Sequence, residues 1–321
     1  MKDFEVIGLG ALNVDRFYRV ERILGDGESV TRGVALYPGG SAANTIHGLA
    51  RLGVRTGFIG AVGDDADGKV LRRAFQRVGV DTTQVQVKPH APTGSVLCLS
   101  DEMGRRSLYV TPGANNLLTA GDIDLPYLKN TQILHLATFV DNRQFELSVE
   151  LAQKLPRGVK LSFSPGALYT ARGLKSISPI LKRTAVLFIN RQELEQLTGQ
   201  GPEAGVRTCQ KEGCRMVVVT LGGGMRLGLI DAVSYIRDAS RAYMIEAIPA
   251  TKPRRTDTTG AGDAFAAGFL FGLLKAKPID VCGRLGDLVA QFSITRMGAR
   301  QGLPTLSQLS ERYQRIYGQS L

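Results

Sequence analysis

The stretch Asp257-Thr258-Thr259-Gly260-Ala261-Gly262-Asp263-Ala264-Phe265 decides how this chain is read. The small residues 260–262 let backbone N–H groups approach a ligand without side-chain obstruction. An apolar helical run, Ala264–Leu274, begins immediately afterwards. Unsatisfied amides and the positive end of the helix dipole then meet at one point, which is a ready anion site. Asp263 stands at that point. An Asp in this position can cap its own helix. It can also act as a carboxylate beside an anion hole, which suits phosphoryl transfer: one group takes a hydroxyl proton while the dipoles stabilise the moving phosphoryl.

Short apolar runs alternate with helical periodicity on the amino-terminal side of this stretch. Strands are expected at Phe4–Gly8, Gly57–Val62, Ile133–Leu136, Val159–Phe163, Val186–Ile189 and Met216–Thr220. Helices are expected at Ser41–Leu52, Gly68–Val78, Gln144–Leu155, Gln192–Leu197, around Pro202–Glu212, and finally at Gly260–Leu274 and Val281–Met297. Strands separated by helices of this length predict an α/β fold whose mostly parallel sheet carries helices on both faces. Two segments, about 15–38 and 93–112, lack a helical period and carry turn residues (Gly25, Asp26, Gly27 and Asp101–Gly104). They predict extra antiparallel strands forming a small lid on a single domain spanning 1–321.

The 321 residues are 43% hydrophobic and 21% charged, which excludes a disordered chain, a collagen and a coiled coil. Glycine is in excess, with 38 residues, and much of the excess sits in short motifs. The formal charge of +11 would permit nucleic-acid or membrane-surface binding and equally attracts small anionic substrates. The basic residues are scattered, however. The densest groups are Arg72, Arg73 and Arg77, then Lys182 and Arg183, then Lys252, Arg254 and Arg255. With no basic run of five and no helix-turn-helix, zinc-finger or RNP signature, neither nucleic acid nor membrane is expected as a partner. Cys98, Cys209, Cys214 and Cys282 are too few and too scattered for a disulfide framework. No signal-peptide pattern opens the chain, and its longest apolar stretch is too short to span a bilayer, so a cytoplasmic protein is expected.

Four further motifs sit where a parallel sheet places ligands, beyond the carboxyl ends of its strands. Asn13-Val14-Asp15 follows the first strand. Pro38-Gly39-Gly40-Ser41-Ala42-Ala43-Asn44-Thr45 opens a helix; it reads as ordinary capping or as a close backbone approach with Asn44 as donor and acceptor. Asn190-Arg191-Gln192-Glu193 reads as a capping box or as polar groups aimed at a ligand. Thr220-Leu221-Gly222-Gly223-Gly224 would let a flat or charged ligand lie on bare backbone.

Taken together these residues resemble the ribokinase-like (PfkB) carbohydrate kinase family, over essentially the whole chain. The resemblance rests on Gly39-Gly40 with Asn44, the run Gly60–Asp64, Asn190 with Glu193, Thr220-Leu221-Gly222, and Asp257–Asp263. It implies a three-layer α/β/α ribokinase-like fold with a β lid, and transfer of the terminal phosphoryl group of a nucleotide to a sugar hydroxyl. It implies Asp263 as general base and Gly260, Ala261 and Gly262 as the anion hole. Asn13, Asp15, Gly39, Gly40 and Asn44 would hold the sugar. Asn190, Glu193, Thr220 and Gly222 would serve the nucleotide, with Mg²⁺ near Glu193 through water. Many members bind K⁺, and Asp257 and Thr259 match that loop. ATP is the expected donor, with ADP and GTP as alternatives, and a homodimer through the lid is implied.

The acceptor is marked less sharply. Pro112-Gly113-Ala114-Asn115 resembles ribokinase, whereas Ser41 stands where ribokinases and hexose-phosphate kinases often carry Lys. Gly39–Thr45 is also similar to adenosine-kinase-like members. Residues His135–Phe139 are expected to face the cleft, with Phe139 either stacking on a base or filling core; Arg105 and Arg106 are read either as phosphate ligands or as edge charges. A ribose-like sugar therefore ranks first, a nucleoside second, and a sugar phosphate such as ribose 1-phosphate third.

Overall fold

In the computed structural model, which describes residues 2–103, 105–247 and 256–321, the expected alternation of strands and helices is present. Lys252, Arg254, Arg255 and Gly104 lie outside the described residues, as does the side chain of Arg106. In chain order the first elements are β1 (Phe4–Leu9), β2 (Asn13–Arg19), β3 (Val34–Gly39), α1 (Ser41–Arg51), β4 (Thr56–Gly63), α2 (Ala66–Gln76) and β5 (Val85–Lys88). Then follow β6 (Gly94–Ser100), β7 (Arg106–Thr111), α3 (Leu125–Lys129), β8 (Thr131–Ala137), α4 (Asn142–Lys154), β9 (Lys160–Ser164), α5 (Gly166–Thr170) and α6 (Leu174–Leu181). The remainder is β10 (Thr184–Asn190), α7 (Arg191–Thr198), α8 (Pro202–Lys211), β11 (Met216–Leu227), β12 (Ile230–Arg237), β13 (Ala242–Glu246), α9 (Ala261–Leu274), α10 (Ile279–Ser293) and α11 (Leu306–Tyr317).

Nine strands form one sheet in the order β13-β12-β11-β10-β9-β8-β1-β4-β5. From β11 to β5 every neighbouring pair is parallel, and β12 and β13 extend the sheet as an antiparallel hairpin. The parallel strands are apolar on both faces because both are covered. Val6, Phe58, Ile133, Phe188 and Val218 enter one core with α1, α9 and α10. Their strand neighbours Ile7, Ile59, Leu134, Leu187 and Val219 enter the other, with α4, α6 and α7. Among the described residues no helix is long and apolar enough to cross a membrane.

The lid is a second sheet, ordered β3-β2-β6-β7. Its outer pairs, β2 with β3 and β6 with β7, are antiparallel, as expected, and the central pair β2–β6 runs parallel. β2 begins only four residues after β1 ends, so the lid springs directly from the carboxyl edge of the main sheet.

Several boundaries differ from the sequence expectation. β11 does not stop at Thr220; it runs through the glycines to Leu227 with a register break between Thr220 and Met225. Pairing with β12, which the sequence reading had not separated, carries it onward, and Gly222 (φ 63°) and Gly224 (φ 109°) absorb the break. α10 ends at Ser293 rather than Met297 because the carbonyl of Ile294 turns away to accept the amides of Thr256 and Asp257. The terminal helix α11 had no counterpart in the sequence reading.

Candidate active site

The amino end of α9 carries no side-chain cap. Its N-cap residue is Gly260, held at φ 74°, and a Cβ there would collide with that of Ala299. Asp263 does not cap the helix, one of the two roles open to it in sequence. Its Oδ1 accepts from Ser41 Oγ at 2.7 Å and its Oδ2 from Asn44 Nδ2 at 2.9 Å. Thr45 Oγ1 donates to the backbone carbonyl of the same residue at 3.2 Å. The first turn of α1 therefore grips the first turn of α9. The Ala261 amide donates to the Thr258 carbonyl at 3.2 Å, and the amino end of α9 lies beside that carboxylate.

The capping reading of Gly39-Gly40-Ser41 fails for the same reason: α1 has no side-chain cap, and Ser41 spends its hydroxyl on Asp263. Gly40 sits at φ 99°, where any Cβ would run into the carbonyl of Ala11. A Cβ on Gly39 would overlap the Asp15 carboxylate. The paired glycines thus bring the β3–α1 turn down onto β2. There Asn13 Oδ1 accepts from Asn115 Nδ2 at 2.9 Å, and Asn115 Oδ1 accepts the amide of Leu12, also at 2.9 Å. Pro112–Asn115 therefore ties the lid to the end of β1.

The structure adds Arg300, which sequence reasoning missed. It is buried, its Nε donates to Asn44 Oδ1 at 2.8 Å, and its Nη2 donates to the Gly39 carbonyl at 2.8 Å. An isolated arginine in a turn after α10 carries no motif. Only its distance in space from residues some 256 positions earlier reveals it. Ser41 stands inside the Gly39–Thr45 motif, but nothing local points its hydroxyl at Asp263.

On the other side of Asp263, Asn190 and Glu193 form the reciprocal capping box of α7: Glu193 Oε2 accepts the Asn190 amide at 3.0 Å and Asn190 Oδ1 accepts the Glu193 amide at 2.9 Å. Burial pushes the Glu193 carboxyl above its ordinary range, and its charge is felt at Asp263. Thr220 and Gly222 line a cavity shared with Ala261 and Gly262 of the glycine turn and with the apolar side chains of Val233 and Phe265. Asp287, another unforeseen residue, lines it too; Gln291 Nε2 donates to its Oδ2 at 2.7 Å, and burial pushes its carboxyl up to about 6. Asp257 Oδ1 accepts from both the amide (2.9 Å) and the hydroxyl (2.8 Å) of Thr259, and its Oδ2 accepts the Gly298 amide at 2.9 Å. Asp257 thus orders the loop before the glycine turn.

Other sequence candidates lie elsewhere. Phe139 is fully buried in the core on the α4 side, and His135 is buried in β8 against Ser162, with burial lowering its pKa to about 3. Neither faces the cleft: His135 lies within β8 and packs between strands and helices, and Phe139, two residues beyond the end of β8, turns into the core. Arg105 pairs with Asp101 within the β6–β7 hairpin at 2.7 Å, so its charge serves the turn. The four cysteines are buried.

The electrostatics follow from burial. Asp15 is pushed up to about 7 by desolvation, opposed by Arg300 and reinforced by Asp263 and Asp257. Asp263 is pushed up to about 6, chiefly by desolvation; Ser41, Asn44 and Arg300 pull it back and Glu193 adds to the rise. A carboxyl whose folded-state value exceeds its unfolded value favours folding at low pH and becomes a cost as pH rises through about 6. Asp263→Asn should therefore stabilise the ligand-free protein at pH 8 by about 1–3 kcal/mol. The gain should shrink as pH falls below that point; urea unfolding at pH 8 and pH 5 would read it, and a less stable variant at pH 8 would contradict the assignment.

Comparison with known proteins agrees with this geometry. Residues 3–306 match the family model described as pfkB family carbohydrate kinase. An uncharacterised sugar kinase of Archaeoglobus fulgidus is 36% identical over 257 residues, covering 80% of this chain and 98% of that protein. An ATP-dependent ribose-1-phosphate kinase of Halopiger xanaduensis is 30% identical over 314 residues, covering 96% and 99%. Among solved structures, Arabidopsis thaliana ribokinase complexed with ribose and ATP superposes with a TM-score of 0.82 at 24% identity, covering 96% of this chain and 98% of that one. Adenosine kinase from Sinorhizobium meliloti gives a TM-score of 0.84 at 23% identity, covering 97% and 99%. With its parallel sheet, its lid and its glycine turn placed as described, the chain belongs to the pfkB family of carbohydrate kinases and is a sugar or nucleoside kinase of the ribokinase fold.

Proposed function

We propose that this kinase moves the terminal phosphoryl group of ATP to a hydroxyl of a neutral, ribose-like sugar, with Asp263 as general base. The carrying observation is the Asp263 carboxylate, held by Ser41 and Asn44 between the Gly39-Gly40 loop and the amino end of α9 at Gly260–Gly262, which has no side-chain cap. The sugar would lie against Asn13, Asp15, Gly39, Gly40 and Asn44. The phosphate end of the nucleotide would face the glycine turn, with its base in the cavity lined by Thr220 and Gly222. The acceptor oxygen attacks the terminal phosphorus as its proton passes to Asp263. The new O–P bond forms, the bridging P–O bond breaks, and ADP leaves with that electron pair. A carboxylate near 6 is ionised at neutral pH yet basic enough to take the proton.

Charge supports a neutral acceptor. Among the described residues around the acceptor loop, the Asp15 and Asp263 carboxylates face Arg300, whose Nε and Nη2 are already committed. A phosphorylated sugar would add negative charge there. The Halopiger xanaduensis relative supports ribose 1-phosphate as the second reading. A coupled assay crossing ribose, adenosine and ribose 1-phosphate with ATP, ADP and GTP separates them. Turnover of the phosphosugar with none of ribose would overturn the neutral reading.

Mg²⁺ binds through one or two carboxylates plus substrate phosphates and keeps several waters, so a single carboxylate suits it and no all-protein cage is needed. Glu193 fits that role: one oxygen is tied to the Asn190 amide, and the carboxylate stands near Asp263. When bound, Mg²⁺ would neutralise charge on the nucleotide phosphates. Asp257 and Thr259, bonded to each other in the loop before the glycine turn, are the residues beside which K⁺ would lie. The lid face opposite Asp15 presents exposed Leu36, Leu97 and Tyr109 in one row, with Arg16 of β2 between Leu36 and Leu97, a surface suited to pairing with a second copy.

Asp263→Ala should lower kcat by ~10²–10⁴-fold; near-normal turnover would refute the base assignment. Glu193→Gln should raise the Mg²⁺ concentration needed for half-maximal rate, and an unchanged titration would remove Glu193 from that role. Sedimentation at micromolar concentration should give a dimer, and a monomer would dismiss the lid as a pairing surface.

A further inference from the structure

We propose that Arg300 is the positioning residue of the acceptor site: one guanidinium clamps Asn44 and the Gly39 carbonyl together and supplies the positive charge that Asp263 and Asp15 share. The inference rests on the reading of Gly39–Asn44 and Asp263 as the acceptor site given above.

The segment Gly298-Ala299-Arg300 touches each part of that site in turn. The Gly298 amide donates to Asp257 Oδ2 at 2.9 Å, and Gly298 itself is held at φ 82° against the ring of Tyr37. Ala299 closes on Gly260, the N-cap of the glycine turn. Arg300 then reaches the acceptor loop with two hydrogen bonds of 2.8 Å, while its guanidinium carbon stands 5.2 Å from the centre of the Phe75 ring. Three consecutive residues thus join the loop before the anion hole, the turn itself, and the residues around the acceptor.

The two bonds are specific in what they fix. Asn44 has one carbonyl and one amide to place. Accepting from Arg300 through Oδ1 forces its Nδ2 toward Asp263, where it donates at 2.9 Å. Arg300 and the Asp263 carboxylate therefore fix the Asn44 amide from its two ends, the cation taking its oxygen and the carboxylate its Nδ2. The bond to the Gly39 carbonyl pins the loop that a Cβ-free residue allows to lie on Asp15. A lysine has the charge but not the fork, so the two contributions are separable.

Arg300 is fully desolvated, which lowers its own pKa to about 10, and Asp15 and Asp263 pull it back up. The charged and titratable groups that face it or Asp263 are Asp15 from β2, His47 from α1 and Glu193 from α7; behind them Arg51 acts on His47 and Asp257 on Asp15. His47 is pushed down to about 3 by burial and by Arg300, so it stays neutral through the working pH range. Arg300 Nη1 is buried without a partner among the described residues.

Two variants test the clamp and the charge apart. Arg300→Lys should leave the acid limb of kcat/KM where it is and raise the acceptor KM about tenfold with the donor KM unchanged. Arg300→Met should move the acid limb upward by about one pH unit, because a carboxylate losing its cation protonates more readily. Hydrogen exchange of the backbone amides over residues 39–45 in the ligand-free protein should quicken in both. A limb that stays put in an active Arg300→Met protein, or donor and acceptor KM rising together in Arg300→Lys, would overturn the proposal. If Arg300→Met does not fold, Arg300→Gln replaces it; failure of all three to fold would make Arg300 a core residue and also overturn it. If the wild-type chain phosphorylates no acceptor, the proposed function falls, while unchanged exchange over 39–45 would independently dismiss the clamp.

Discussion

The two hydrogen bonds from α1 to the Asp263 carboxylate are the contact on which the site depends. They join residues more than 200 positions apart and bring two helix amino ends together. Two helix amino ends bring donors together, so their approach calls for a hydrogen-bond acceptor group between them. Asp263 is that group. The same carboxylate that reconciles the two helices is the one proposed to receive the acceptor proton.

The glycines follow from that closeness. Gly39, Gly40 and Gly260 each lie where a Cβ would strike a neighbour, and two of the three adopt positive φ. Bulk is excluded so that backbone can stand in for side chain on both sides of the cleft. Burying several carboxylates together in so tight a space raises their pKa values, and Arg300 offsets part of the repulsion. A site built in this way is electrostatically costly in the empty protein, the expected consequence of preorganising charge for a reaction rather than for stability.

Much of this was legible beforehand. The parallel core announced itself because strands buried on both faces must be continuously apolar. The glycine turn did so because bare backbone before an apolar helix has few other uses. What misled was local sufficiency. Gly-Gly-Ser before a helix satisfies a capping rule, yet Ser41 spends its hydroxyl on Asp263. Residues His135–Phe139 run toward the right edge, yet His135–Ala137 are buried within β8 and Phe139 beyond it is buried too. Conversely, Asn190 and Glu193 do form the capping box that local rules describe, and any service to a nucleotide is added to it.

The chain by itself determined its family and its layered α/β architecture, and it marked most of the residues that the fold gathers around Asp263, because these are written as short patterns whose physical meaning is local. Tertiary structure alone decided which of two roles each polar group takes, where β11 ends, and that Arg300 belongs to the site. A hydrogen bond between residues 44 and 300 leaves no periodicity, spacing or composition behind it. It exists only once the sheet has brought both strand ends to one edge and α9 and α10 have turned the chain back upon them.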